Sequence, residues 1–321
     1  MKLLMDLSNM SWEVLQAFKA VGIDAEWTLP YKRRGVNVCD DPKELNKFDV
    51  LMFRQHAGNI HKAVRHKREG RLRSKLVLEL IAIAPTFFWG LRGQRDHYNV
   101  CAYMDGVVSM NPNNTEALSA ICGPRGIPTK LIPLGIDPPK WKTSGRDRVA
   151  LFATGRVDNL KNMLAAVVIN QILHHRGSSV RVLISDAWRE MVSEKFKYKE
   201  VLPPDWPRWF VNKDSYRNLL KTVRVGLHPV YSEGFNRTVL EQAQVGLPQV
   251  VSPQIWWANQ NAGFSVFGPE DFGAMATEIH KLCTDDVYWK SESRKVQAFS
   301  SKFTMRRYAE QWKEFLERIL Q

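Results

Sequence analysis

Apolar and polar positions along the chain form two similar series of short apolar runs, each separated by amphipathic or irregular stretches. Lys2 to Leu7 has strand character, and Ser11 to Val21 repeats apolar positions at helical spacing until Gly22 stops it. Further strands are expected at Ala25 to Leu29, Phe48 to Phe53, Leu76 to Ala84, Gly106 to Met110 and Lys130 to Leu134. A stretch with two prolines and two glycines, 135–145, then interrupts the pattern. The series restarts with a strand over Val149 to Thr154, a helix over Leu160 to His174 and a strand over Val180 to Ser185. A strand near Trp209 to Val211, a helix from Ser215 to Lys221 and a strand over Val225 to His228 follow, and Val287 to Leu320 reads as helical. Most strands are apolar on both faces, which predicts mainly parallel sheets covered by helices. The fold class is therefore α/β, with two doubly wound, Rossmann-like units in tandem. The expected organisation is a first domain over 1–137, a linker over 138–147, a second domain over 148–290 and a terminal helical segment over 291–321.

The most informative stretch runs from Tyr231 to Ser252. Asn236 is placed to cap a helix from Arg237 to Val245, Gly246 ends it, Pro248 prevents its continuation, and Val250 and Val251 open a buried strand. Glu233 precedes the helix and Glu241 lies about one turn inside it. Backbone N–H groups and the positive dipole end at such a start favour a phosphate. A carboxylate one turn along lies roughly 7 Å away, the reach from a diphosphate to a ribose. The other carboxylate lies where a sugar on that diphosphate would sit. Two glutamates in this arrangement are also found as an ordinary acidic first turn, so the spacing alone leaves both readings open.

The same stretch resembles the Glu-x7-Glu motif of retaining glycosyltransferases of the GT-B fold, especially glycosyltransferase family four. Glu233-Gly234-Phe235 and Glu241 stand in register with it, and Gly246-Leu247-Pro248 stands where the family has Gly-x-Pro. The resemblance implies that Glu233 contacts the donor sugar, Glu241 the ribose, and Gly234, Phe235, Asn236, Arg237 and Thr238 the diphosphate. Upstream, Gly155-Arg156 and Lys161 resemble the family's Gly-Arg-x-x-x-x-Lys-Gly, which implies that Arg156 and Lys161 hold the departing diphosphate and that Gly155 lies in the donor site. Ile132 to Asp137 resembles the segment that ends the family's first domain, with Leu134 in place of the usual Asn, and Pro253 to Phe272 resembles a later passage. Asp186 stands where the family has Gly-x-Gly; Asn212, Lys213 and Tyr216 lie near the expected base, and His228 and Tyr231 near the sugar or in the core. The resemblance is clear from about Leu131 to Cys283 and weak before it. It implies two domains facing across a cleft, a nucleotide-sugar donor of which a UDP-sugar is favoured, and transfer with retention that needs no metal or other cofactor. The terminal helical segment is expected to cross back to the first domain.

Composition refines the picture without changing it. The chain has 321 residues, 44% hydrophobic and 25% charged, as a folded protein of two domains has. A formal charge of +13 favours a polyanionic partner, nucleic acid or an anionic membrane surface. Cys39, Cys101, Cys122 and Cys283 show no metal spacing and read as free thiols of a reducing compartment. The first residues do not form a signal peptide, and Leu76 to Trp89 is too short and too interrupted to span a bilayer, so a cytoplasmic protein is expected.

Acceptor chemistry is expected in the first domain. Lys62, Arg65, Lys67, Arg68, Arg71 and Arg73 form a basic run with a single acid, suited to phosphates or to an ordinary solvated face. Phe87 to Tyr98 interleaves aromatics with Arg92 and Arg95 at a strand end, and Asp96 and His97 are candidates for acceptor contact. Trp12 is read as a packing residue. Together these features favour DNA carrying a hydroxymethylated pyrimidine, glycosylated by a bacteriophage enzyme in the host cytoplasm. The alternatives are a peripheral transferase of lipopolysaccharide or another envelope glycan, and a catalytically silent nucleic-acid-binding protein of the same fold.

Overall fold

The computed structural model describes residues 1–6, 12–28, 37–54, 59–80, 100–153, 159–185, 208–209 and 213–321. The chain forms two compact units, one of Met1–Gly135 with Phe303–Gln321 and one of Ile136–Lys302.

The first unit is built on six parallel strands: β1 (Lys2–Asp6), β2 (Asp24–Trp27), β3 (Val50–Arg54), β4 (Lys75–Leu80), β5 (Gly106–Ser109) and β6 (Thr129–Leu131). Their order across the sheet is β2-β1-β3-β4-β5-β6. β3 is buried along its whole length, as a strand covered on both faces must be. On one face lie Leu4, Leu51, Phe53, Leu76 and Leu78, packed with α3 (Ile60–Arg68) and α4 (Pro112–Cys122). Asn111 starts α4 by accepting from Asn113 N at 2.9 Å, with Pro112 at a position that needs no N–H. Helix α1 (Trp12–Ala20) buries Val14, Leu15 and Phe18, whereas Trp12 at its first position is 65% exposed. The expectation that Trp12 packs is therefore corrected: at the helix start it points off the apolar face. A short helix, α2 (Pro42–Leu45), precedes β3.

The second unit has six parallel strands: β7 (Asp147–Leu151), β8 (Arg181–Ser185), β9 (Arg208–Trp209), β10 (Val223–His228), β11 (Gln249–Val251) and β12 (Phe264–Val266). Their order is β12-β11-β10-β7-β8-β9. Helices α5 (Leu164–His175), α6 (Lys213–Leu220), α7 (Arg237–Gln244), α8 (Phe272–Thr284) and α9 (Asp286–Ser300) join or cover them. Residues 136–146 belong to this unit and are bonded to it: Thr143 N donates to Val245 O at 2.9 Å and Ser144 N to Lys221 O at 2.8 Å.

Two expected elements are divided. The helix expected over 160–174 begins at Leu164, preceded by a 3-10 turn at Asn159–Lys161. Between them Asn162 takes φ 47°, and its amide donates to Pro269 O at 2.6 Å. A left-handed residue cannot continue a helix, and Asn tolerates that region where most residues do not. The tail is likewise two helices, α9 and α10 (Met305–Leu320), with Thr304 capping the second through Arg307 N at 3.2 Å. Helix α10 belongs to the first unit and packs on α1, with Tyr308 stacked on Phe18 and Trp312 edge-on to it.

Candidate functional site

In an open parallel sheet, ligands bind beyond the strand C-termini where the winding order reverses. In the second sheet that point lies between β7 and β10, because β8 and β9 continue to one side of β7 and β11 and β12 to the other side of β10. The loop after β7 leads to Lys161, and the loop after β10 leads to Glu233. The two side chains form an ion pair there, each 14% exposed. Two backbone contacts hold them in place. Tyr231 N donates to Leu160 O at 2.8 Å, tying one loop to the other, and Gly234 N donates to Glu233 Oε1 at 3.0 Å. The 3-10 turn and Asn162 put Lys161 on a loop at the sheet edge, where a continuous helix would have placed it on a helical face.

Gly234 and Phe235 are buried beneath this loop. Trp256 Nε1 donates to Gly234 O at 3.2 Å, Trp257 Nε1 donates to Phe235 O, and the Phe235 and Trp257 rings stack at 5.4 Å. The tryptophan pair after β11 thus fixes the loop backbone. The signal for this task in the sequence is the pair of adjacent tryptophans shortly after a buried strand, a role not among those expected above. Asn236, at φ 61°, caps α7 by accepting from Val239 N at 3.2 Å. Arg237 Nε donates to Glu241 Oε1 at 2.8 Å across one turn, with Glu241 31% exposed, and Thr238 is half-buried beside them. Each glutamate of the pair is therefore held by a cation of its own.

Below the loop, His228 ends β10 fully inside the protein and shares a 2.9 Å hydrogen bond with Gln242 Oε1. Burial holds its imidazole down to about 4, and the nearby Lys161 charge pushes the same way, against the Gln242 bond. His228 is therefore neutral and adds no charge beside Lys161. Gln242 Nε2 reaches Tyr216 Oη at 3.5 Å, so Tyr216, His228 and α7 share one polar connection. Burial, and then the Glu241 charge, raise the Tyr216 phenol above its usual range. Gly226 makes this packing possible, since a Cβ there would strike both Gln242 Oε1 and Gln249 Oε1. Tyr231 is turned outward, its hydroxyl donating to Glu270 Oε1 at 3.0 Å.

Gly155, Arg156, Asp186, Asn212, Arg92, Arg95, Asp96 and His97 lie outside the described residues. In the first unit the basic run is a helix and turn, and two of its cations meet acids from elsewhere in the chain while a third meets the acid within the run. Lys62 pairs with Asp40, Lys67 with Asp105 and Arg71 with Glu69, while the Arg68 guanidinium lies 5.6 Å from the Tyr103 ring centre. Arg65 and Arg73 are exposed. Among the described residues, no group of three or more His, Cys, Asp or Glu side chains is arranged to hold a metal ion, and no helix is long and apolar enough to cross a membrane. All four cysteines are free and buried.

Neither a protein family nor a curated protein matches the sequence. Solved structures do match over nearly the whole chain. Sucrose-phosphate synthase from Thermosynechococcus elongatus aligns with TM-score 0.74 and 12% identity, covering 99% of this chain and 98% of the other. HepE from Anabaena, solved in complex with UDP-glucose, aligns with TM-score 0.74 and 15% identity over 99% of this chain and all (100%) of its own. A trehalose-6-phosphate synthase, studied for glycosyl transfer with retention, aligns with TM-score 0.71 and 14% identity over 98% and 99%. At these identities the likeness is one of fold, and the chain has the α/β fold of the GT-B proteins, with two Rossmann-like units each built on a parallel sheet.

Proposed function

We propose that the protein is a retaining glycosyltransferase that takes a sugar from a nucleotide-diphosphate sugar, a UDP-sugar by preference, to a hydroxyl acceptor. The carrying observation is the Lys161–Glu233 pair at the reversal point of the second sheet, beside the start of α7, with Glu241 one turn along it. The UDP-glucose bound by HepE, of the same fold, supports the choice of donor. On this reading the unit Ile136–Lys302 binds the donor and the first unit the acceptor. Without donor, Lys161 and Glu233 neutralise each other; on binding, Lys161 and Arg156 turn to the diphosphate and Glu233 to the sugar hydroxyls. Glu241 likewise exchanges Arg237 for ribose hydroxyls, and Arg237 and Thr238 stand at the helix start that receives the phosphates.

Cleaving the sugar–phosphate bond leaves negative charge on the diphosphate and positive charge on the sugar ring. Preorganised cations and helix-start amides stabilise the leaving group, each such donor contributing roughly 3–4 kcal/mol. The departing phosphate then accepts the acceptor's proton, so that this reading invokes no metal and no carboxylate base. The acceptor we favour is a hydroxymethylated pyrimidine in DNA, modified in the cytoplasm of a bacteriophage's host, on the strength of the +13 charge. A sugar or envelope-glycan hydroxyl is the second reading, favoured by the sugar-phosphate products for which two of the similar structures are named.

The test is mass spectrometry of nucleosides from hydroxymethylcytosine and hydroxymethyluracil DNA after incubation with a panel of nucleotide sugars, with Lys161→Ala alongside. A hexose or pentose increment that disappears in the variant is expected. Donor hydrolysis without transfer to DNA would move the acceptor to a glycan. Neither transfer nor hydrolysis, from a folded protein, would overturn the donor site.

A further inference from the structure

The first sheet carries a concentration of charge at the edge that donor chemistry does not use. Its strands are all parallel, so α3 runs from the C-terminal end of β3 to the start of β4, and its last turn lies opposite the strand ends where such sheets usually take ligands. At that edge, beside the starts of β4, β5 and β6, lies a cavity of about 610 Å³. Lys67, Lys75, Arg125 and Arg318 line it, together with Tyr103 and one carboxylate, Asp105. Asp105 is already engaged: it pairs with Lys67, stands 3.9 Å from Lys75 Nζ, and accepts from Leu76 N at 2.7 Å. Arg125 and Arg318 are exposed and have no carboxylate partner among the described residues. At the rim, Arg68 lies over Tyr103, which is 37% exposed.

A cation in the last turn of a helix complements the helix dipole, and that accounts for one basic residue at each helix end. It does not account for four cations converging on one cavity that holds a single carboxylate, an excess of three positive charges. A ligand with closely spaced anionic groups relieves that repulsion. We infer that this edge of the first unit binds the phosphodiester backbone of a nucleic acid. The cavity takes phosphates, and Tyr103 with Arg68 forms an aromatic–cation pair against which an unpaired base stacks. The inference rests on the DNA reading above for its choice of polymer, and it supplies affinity for the strand separately from chemistry on one base.

The experiment is fluorescence anisotropy with labelled single- and double-stranded DNA across a salt series, without nucleotide sugar. It compares wild type with Arg125→Gln/Arg318→Gln and with a control on the second unit, Lys290→Gln/Arg294→Gln. Each phosphate contact adds about 0.9 to the slope of log affinity against log salt on duplex DNA. The first variant is expected to flatten the slope by about 2 and to weaken low-salt binding about tenfold or more, and the control to change neither. Thermal melting checks the fold, and the single variants serve if the double one melts early. Unchanged affinity and slope in the Arg125/Arg318 variant, or no salt-sensitive DNA binding by wild type, would overturn the inference. So would loss of binding to phosphatidylserine vesicles with DNA binding intact, which would assign the surface to a membrane. Donor hydrolysis measured without DNA reports on the glycosyl-transfer reading independently.

Discussion

Lys161 and Glu233 are 72 residues apart and share one ion pair. Removing Lys161 leaves Glu233 without this partner and the donor diphosphate without one of the cations proposed to hold it. On the proposed mechanism, Lys161→Ala lowers donor turnover by about 10²–10³-fold with little effect on thermal stability, as steady-state hydrolysis will measure. Glu241→Ala should act mainly on donor KM, because a ribose contact serves ground and transition states alike. His228 yields a pH prediction. Its folded value, about 4, lies below the ordinary 6.5, so between these values the unfolded chain binds more protons. The stability His228 contributes is full above about 6.5 and is lost as pH falls toward 4, by roughly 3 kcal/mol in all. Urea titrations at pH 7 and pH 5 should show about 2 kcal/mol of that loss in wild type and less in His228→Gln. Gly226→Ala, whose added methyl meets two buried glutamines, should cost about 1–3 kcal/mol.

At the scale of elements, α10 shows how a segment distant in sequence completes the first unit. Trp312 and Tyr308 are among its largest fully buried side chains, and the Tyr308 hydroxyl donates to Glu79, which also receives Arg54 Nε at 2.6 Å. Tyr308→Phe removes one donor from a carboxylate that is 0% exposed and should destabilise the first unit by about 1–3 kcal/mol in denaturant unfolding. Trp312→Ala should cost about 3–5 kcal/mol. Strands such as β3 and β5 were legible because they are short apolar runs buried on both faces, whereas β12, three residues long with Ser265 at its centre, was not among the expected strands. The break at Asn162 was not legible either, because a left-handed residue held by Pro269, 107 positions away, leaves no local signature. For the same reason the basic run looked freer of acids than it is: Asp40 and Asp105 reach Lys62 and Lys67 only through the fold.

For the whole molecule, two units with separate cores unfold as two cooperative blocks where their stabilities differ. On the proposed function, UDP-glucose at about 100 times its Kd stabilises the unit Ile136–Lys302 by about 2.7 kcal/mol. Calorimetry should then show one transition moved and the other nearly unchanged.

The α/β class, the repeated series of strands and the helix capped by Asn236 are readable from the chain alone. Each of these is written in neighbouring residues: apolar runs, a capping side chain, and Gly246 and Pro248 as stops. The paired glutamates are visible there too, Glu233 before the helix and Glu241 one turn inside it. The fold alone brings Lys161 to Glu233, fastens the Gly234–Phe235 backbone with Trp256 and Trp257, and keeps His228 neutral beneath it. Those outcomes depend on which strands lie side by side and on what burial does to a charge, and both arise from contacts between distant parts of the chain.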